Sequence, residues 1–327
     1  MSDEELVHDV ALIGLGGSGI RSMMALRALI EKEETPALEV TKNSCRLLAI
    51  DSNYYSQDYF RDLDEDDRED IILKQNEYLG LLRNAENPWD RVTQDAKSKI
   101  PEAEKLLRQR PAVNISRSPD RTDYKSMIYV SRERMKQAIR EFLKNSEATN
   151  EKQAAPLRLL IASSLFGDTG SLSYLALLEI LDELSGEIRF ESINAFLFEP
   201  EGFEGYLRLN TFHTAKYLSV IKSISKFCST EDAHRNIPLQ YLVSINPEKL
   251  LDRSSNVLLA FTETARRVNE LIDSGPLSEN LAKGGSEDPI IKIVPLNLEK
   301  CASIEKAIND RFGSDRRFIE WARDFSA

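Results

Sequence analysis

Two short stretches of this chain carry residue types that could hold phosphate. The first is Gly14-Leu15-Gly16-Gly17-Ser18-Gly19, and the second is Gly167-Asp168-Thr169-Gly170-Ser171. Glycine removes the side chain where backbone must approach an anion. Amides at the start of a following helix point outward, and the helix dipole is positive there. The first stretch therefore suits a phosphate. The second adds hydroxyls from Thr169 and Ser171, and suits more terminal phosphates. A single G-x-G-G-x-G stretch is weak, because NAD enzymes, adenylyltransferases and bare tight turns share it. Two glycine-containing strand-to-helix loops, on separate strands, point to a fold that wraps a nucleotide's phosphates from two sides.

The flanking residues predict the elements that would position these loops. Apolar runs at 7–13, 46–50 and 157–162 read as buried strands, and 20–33 and 172–184 as helices. The second strand ends in Asp51-Ser52-Asn53. Strand, helix and strand in this order require a parallel sheet. Further strands are expected at 188–198, 239–245 and 290–295. Helices are expected at 131–145, 211–227, 254–272, 299–312 and 315–325. Residues 54–110 change character, with a charge run at 62–70 and expected helical pieces near 68–84 and 95–110. The stretch 111–123 reads as a polar loop, and 274–288 as a Gly/Ser-rich one. The expected fold is α/β, a Rossmann-like parallel sheet with helices on both faces, a long central helix and a shortened C-terminal region.

The bulk properties exclude some classes. At 327 residues there is room for about two domains. The net charge of −11 disfavours passive binding to nucleic acid or anionic lipid. No apolar stretch approaches the roughly 20 residues of a membrane span, and the acidic start lacks a signal peptide's basic residues. Cys45, Cys228 and Cys301 are scattered and odd in number, against a disulfide framework. The three histidines have no metal-ligand spacing. A cytoplasmic protein without a metal site is expected, with no nucleic acid or membrane as partner.

Taken in order, the motifs resemble the tubulin/FtsZ superfamily. There, an N-terminal strand, glycine loop and helix act with a later G-G-G-T-G-[ST]-G loop to hold a guanine nucleotide. Asp51, in Ala49-Ile50-Asp51-Ser52-Asn53, matches the acid of the N-T-D-A-Q segment. Phe203-Glu204-Gly205-Tyr206-Leu207-Arg208 is similar to F-E-G-x-x-R, whose Glu and Arg contact the ribose and its surroundings. Ser244-Ile245-Asn246-Pro247-Glu248-Lys249-Leu250-Leu251 resembles T-I-P-N-D-K-L-L, whose Asn contacts guanine. Leu258-Leu259-Ala260-Phe261 resembles L-L-D-A-F near the start of the central helix. The matches are collinear over residues 8–273, with 54–110 as an insert. Insert and loop motifs look closer to divergent bacterial tubulin-like proteins than to cell-division FtsZ.

The resemblance implies GTP or GDP as ligand, with Mg²⁺ left open, and self-association or a partner protein. It implies that Gly16, Gly17, Ser18 and Gly19 cradle inner phosphates, that Thr169, Gly170 and Ser171 hold outer ones, that Glu204 and Arg208 clamp the ribose side, and that Asn246 reads the base. Gly14, Asp51, Ser52, Asn53, Gly167 and Asp168 complete the expected nucleotide site. Residues 1–273 would form the nucleotide-binding domain, and 274–327 a short α/β extension, incomplete as a second tubulin-type domain.

Departures from the pattern shape the functional reading. Asp168 stands where the signature loop has a glycine, and a carboxylate beside a triphosphate is repulsive unless a cation lies between them. It could contact a metal, cap the following helix, or mark weakened binding. Leu172 replaces a further glycine. Arg266 falls where the family has an Asp that pairs with guanine, and Arg has no acceptor. The stretch 273–281 holds Asp273 and Glu279 but no N-x-D-x-x-D motif, so no catalytic residue is assigned. The expectation is a nucleotide-dependent assembly or switch protein, with hydrolysis weak or dependent on a partner in trans, and slow GTPase activity left open. The alternatives are a catalytically inactive interaction subunit and a Rossmann-type NAD or adenylyl-transfer enzyme. For the NAD reading, Asp51 lies farther past the glycines than the usual spacing of about 20 residues.

Overall fold

The computed structural model describes residues 9–31, 45–52, 73, 75–81, 121–144, 157–200, 211–229, 236–246, 261, 262, 264–266, 268 and 291–326. The expected helical piece at 95–110, the site residues Asn53, Glu204 and Arg208, and the acids Asp273 and Glu279 lie outside them.

Seven strands form one sheet. They are β1 (Asp9–Leu15), β2 (Cys45–Asp51), β3 (Tyr78–Gly80), β4 (Leu157–Ser164), β5 (Phe190–Phe198), β6 (Leu239–Ile245) and β7 (Ile291–Pro295), in the spatial order β3-β2-β1-β4-β5-β6-β7. All neighbours pair in parallel except β6 and β7, which are antiparallel. The α/β expectation holds. The order reverses direction between β1 and β4, because the chain builds outward from β1 to one edge and then from β4 to the other. In open α/β sheets, ligands collect at the carboxyl ends of strands at such a switch point. Both glycine loops leave the sheet there.

Alternation along β1 shows why both faces are covered. Ala11, Ile13 and Leu15 enter one apolar cluster, and Val10 and Leu12 the other. Helix α1 (Gly16–Glu31) covers the second face through Ile20, Met23, Met24 and Leu26, joined by Phe261, Ala265 and Val268 from a helical stretch of the expected central helix. The first face is covered by α2 (Arg121–Lys144), α3 (Asp168–Glu183), α4 (Thr211–Ser229), α5 (Leu298–Phe312) and α6 (Arg316–Ser326). Sheets buried on both faces need near-continuous apolar strands, and the sequence of β4, LRLLIASS, is of that kind.

Four elements differ from the sequence expectation. The helical piece expected over 68–84 does not hold where it is described: Gln75–Glu77 is a single 3₁₀ turn, and Tyr78–Gly80 is a strand. Pairing with the open edge of β2 outweighs local helix preference there, and it buries Leu79 and Leu81. Arg27 of α1 fixes the 3₁₀ turn by bonding both carboxylate oxygens of Glu77 at 2.9 Å. Helix α2 starts ten residues before the expected 131, inside the stretch read as polar loop. Helices α1 and α3 begin within the glycine loops, at Gly16 and Asp168, rather than at 20 and 172.

Among the described residues, no helix is long and apolar enough to cross a membrane. All three cysteines are free thiols.

Candidate functional site: a cleft between two glycine loops

The early starts of α1 and α3 place the loop amides in the first helical turns. Those amides have no partner within their own helix, so they can face an anion. Gly16 is the hinge of the first loop. Its φ of +65° is strained for residues with a side chain, and it turns β1 directly into α1. The second loop lies against it. A Cβ added at Gly16 would stand 2.9 Å from the amide nitrogen of Gly170 and 3.1 Å from its Cα. A Cβ at Gly170 would in turn meet the Leu15 carbonyl at 3.1 Å. The two glycine loops are thus in backbone contact, and side chains at either position would pry them apart.

They enclose a cleft of about 240 Å³ lined by Gly16, Gly17, Ser18, Gly167, Asp168, Thr169 and Gly170. Arg21, Ser164, Phe166 and Phe261 complete the lining. Most of the sequence-predicted phosphate residues therefore meet in one place. Gly14 and Gly19 have a different geometric duty. A Cβ on Gly14 would lie 2.7 Å from the Ile20 Cα, and one on Gly19 would lie 2.1 Å from the Ala162 carbonyl. Both let α1 pack tightly on the sheet. Ser171 is fully buried, and its hydroxyl donates to the Gly167 carbonyl at 2.6 Å, so its side chain bonds within its own helix.

Asp51 and Ser52 reach the second loop from β2. The Asp51 carboxylate accepts from the amide and, at 3.0 Å, from the hydroxyl of Ser52. The Thr169 hydroxyl donates to Ser52 Oγ at 3.0 Å. All three residues are buried. This chain of bonds ties the end of β2 to the start of α3 and fixes the orientation of Thr169. Asn246 sits half-buried just past β6, outside the lining of this cleft.

Asp168 does not cap α3. The cap position is Gly167, in extended conformation and with no side-chain cap bond. Instead, Asp168 Oδ1 forms an ion pair with Nζ of Lys216, on α4. Lys216 is 2% exposed. Its ammonium also lies 4.5 Å from the centroid of the Phe212 ring, a favourable place for a cation. Next to it, His213 is held below the usual histidine range, first by burial and then by the Lys216 charge, with Asp168 opposing.

Lys216, Arg21, Phe166 and Phe261 were not singled out as site residues from the sequence. Arg21 follows the first glycine loop and Phe166 immediately precedes the second, and neither carries a motif of its own. Lys216 left one faint signal, a charge among the apolar residues Ala215, Tyr217, Leu218, Val220 and Ile221. Phe261 lies in the Leu-Leu-Ala-Phe segment, and its ring packs edge-on against Phe198 with centroids 5.6 Å apart. Among the described residues, no cluster of three or more His, Cys, Asp or Glu is arranged to hold a metal.

No protein-family model matches the chain, and no curated protein matches it. Among solved structures it is similar to CetZ from Methanosaeta thermophila, with 13% identity and a TM-score of 0.45 over 83% of this chain and 55% of that one. It is also similar to TubZ of Bacillus thuringiensis serovar israelensis in GDP-form protofilaments, with 13% identity and a TM-score of 0.42 over 83% and 56% of the two chains. A third is CetZ2 from Haloferax volcanii in a GTPγS-bound protofilament, with 12% identity and a TM-score of 0.42 over 84% and 62%. The chain spans 55% to 62% of the length of these structures.

Proposed function

We propose that this chain is a guanine-nucleotide-binding, tubulin/FtsZ-like protein whose polyphosphate lies in the cleft between the two glycine loops. The observation that carries this reading is the backbone contact of Gly16 with Gly170 at the switch point of the sheet. It brings two helix N-termini to one cleft, each with amides free of intrahelical partners. One such N-terminus suits a single phosphate; two converging suit a chain of them. The cleft also carries the Arg21 cation and the Ser18 and Thr169 hydroxyls.

In this reading the first loop holds the inner phosphates, and the second holds the outer ones mainly through backbone amides. Guanine as the base rests on the collinear motifs, with Asn246, Glu204 and Arg208 on the nucleoside side. Among the described residues, Asp168 is the one carboxylate lining the cleft, and it is already paired with Lys216. A Mg²⁺ brought in with the nucleotide would therefore be held chiefly by the phosphates. Hydrolysis is slow in the isolated chain, and an acid from another copy or a partner completes it. Residues 1–273 form the nucleotide-binding unit, with 274–327 as an extension whose strand β7 joins the same sheet. Self-association follows nucleotide state.

A second reading, an interaction subunit without turnover, is favoured by the same Asp168 carboxylate, which faces the place where phosphates would lie. One experiment separates these readings. The gently purified chain is denatured, and any released nucleotide is identified by chromatography and mass spectrometry. GTP or GDP is the expected product. Bound NAD or AMP would move the protein to the dinucleotide or adenylyl-transfer class. An empty protein that also ignores added GTP would leave the interaction subunit.

A further inference from the structure

The Asp168–Lys216 pair poses a physical problem that the nucleotide site alone does not answer. A buried ion pair is a poor source of stability, because desolvating both charges offsets most of their attraction. An apolar pair of similar size would serve packing as well. Yet Lys216 is almost fully buried, at 2% exposure, while its partner lies at the mouth of the phosphate cleft. Asp168 Oδ1 is buried against the ammonium, although the Asp168 side chain as a whole keeps 26% of its surface exposed.

The placement matters for an anion. Asp168 is the first residue of α3, beside the amides that would receive outer phosphates. An uncompensated carboxylate there would repel each phosphate charge. It would also offset the positive end of the α3 dipole. Lys216 approaches from α4, behind Asp168, and is absent from the cleft lining itself. It therefore acts through Asp168 rather than on the ligand directly. Phe212 on the same helix lies against the ammonium and helps keep it in place.

We propose that Lys216 is a positioning residue of the phosphate cleft, holding and neutralising the Asp168 carboxylate so that the N-terminus of α3 accepts a nucleoside polyphosphate. This rests on the nucleotide-binding reading above and adds to it a residue from a distant helix. It also explains how an acidic residue occupies a phosphate loop. The loop and the buried lysine form one charge-balanced unit, and the loop's orientation becomes tied to α4.

The test compares binding of GTP, GDP and guanosine to the full chain by calorimetry. In Lys216→Met the Asp168 charge is uncompensated. GTP affinity should fall about tenfold or more, GDP less, and guanosine least, because the repulsion scales with ligand charge. A purely structural defect would weaken all three alike. The double variant Asp168→Ala with Lys216→Met removes both charges and should recover most of the GTP affinity. Equal losses for all three ligands in Lys216→Met, or no recovery in the double variant, would overturn the proposal. If the parent chain binds none of the three ligands, the nucleotide reading itself fails, which is a different outcome from a parent that binds and a lysine variant that is unchanged.

Discussion

At the scale of single residues, chemistry in this protein is decided by which charges are buried beside the glycine loops. His213 gives a direct reading of that environment. Burial and the neighbouring Lys216 charge hold its pKa below 6.5, and Asp168 opposes them without reversing the shift. In the unfolded chain histidine titrates at about 6.5. Between the lowered value and 6.5 the unfolded state therefore binds a proton that the folded state refuses. The folded state is then favoured above about pH 6.5, and this contribution is lost as pH falls through the folded value. Urea midpoints taken at about pH 7.5 and about pH 5.5 should show lower stability at the acid end, and His213→Gln should flatten the slope in that window. A slope unchanged by the substitution would mean that other groups set it. The carboxylate of Glu183 does not confuse the result. Burial raises it, but Arg132 and Lys136 bring it below its ordinary value of 4.5, outside this window. The sequence made the glycines of this site readable, because glycine is required wherever backbones touch. It could not reveal Lys216, because a lysine's partner 48 positions away is set by how α4 packs, which no local pattern encodes.

At the scale of elements, the glycine loops are junctions where two different close approaches demand the same residue. Gly16 and Gly170 let the two loops touch, whereas Gly19 lets α1 sit on β4. A Cβ at Gly19 would fall 2.1 Å from the Ala162 carbonyl, and backbone cannot swing aside as a flexible side chain does. Gly19→Ala should cost on the order of 3 kcal/mol, seen as a clear drop in thermal midpoint. Gly186→Ala is the control. Nothing lies within 4 Å of a Cβ there, so the midpoint should stay or rise slightly. Equal midpoints for the two variants would show that α1 has room to shift, and that the close approach is not required. Element positions were largely legible because the strands are continuous apolar runs bounded by polar turns. Their edges were not, for physical reasons visible here. Helices α1 and α3 start inside glycine-containing loops, where low helix propensity hides the first turn. Tyr78–Gly80 became a strand because β2 offered an open edge, a tertiary effect that outweighs local preference.

At the scale of the whole molecule, the C-terminal segment decides whether the chain has one core or two. Strand β7 closes the sheet edge by antiparallel pairing with β6. Helices α5 and α6 then lie on α4, so that Cys301, Ile308 and Phe318 share an apolar cluster with Ala215, Leu218, Val220 and Ile221. Phe312 stacks on Phe318 with ring centroids 5.2 Å apart, which joins the two helices to each other. Among the described residues of this segment, four large apolar side chains are buried: Ile291, Ile293, Ile308 and Phe318. At about 1.5–3 kcal/mol each, their burial contributes on the order of 6–12 kcal/mol before entropy is counted. That is comparable to the roughly 5–15 kcal/mol that separates folded from unfolded domains. The loss of Ile308 and Phe318 would fall on α4, the helix that carries Lys216 to the second glycine loop, and that of Ile291 and Ile293 on the opposite face of the sheet. A chain ending at residue 290 should therefore lose cooperative urea unfolding, followed by circular dichroism, and should lose nucleotide binding with it. Cooperative unfolding at the parent midpoint would instead show that β7, α5 and α6 form an appendage, energetically separate from the sheet they extend.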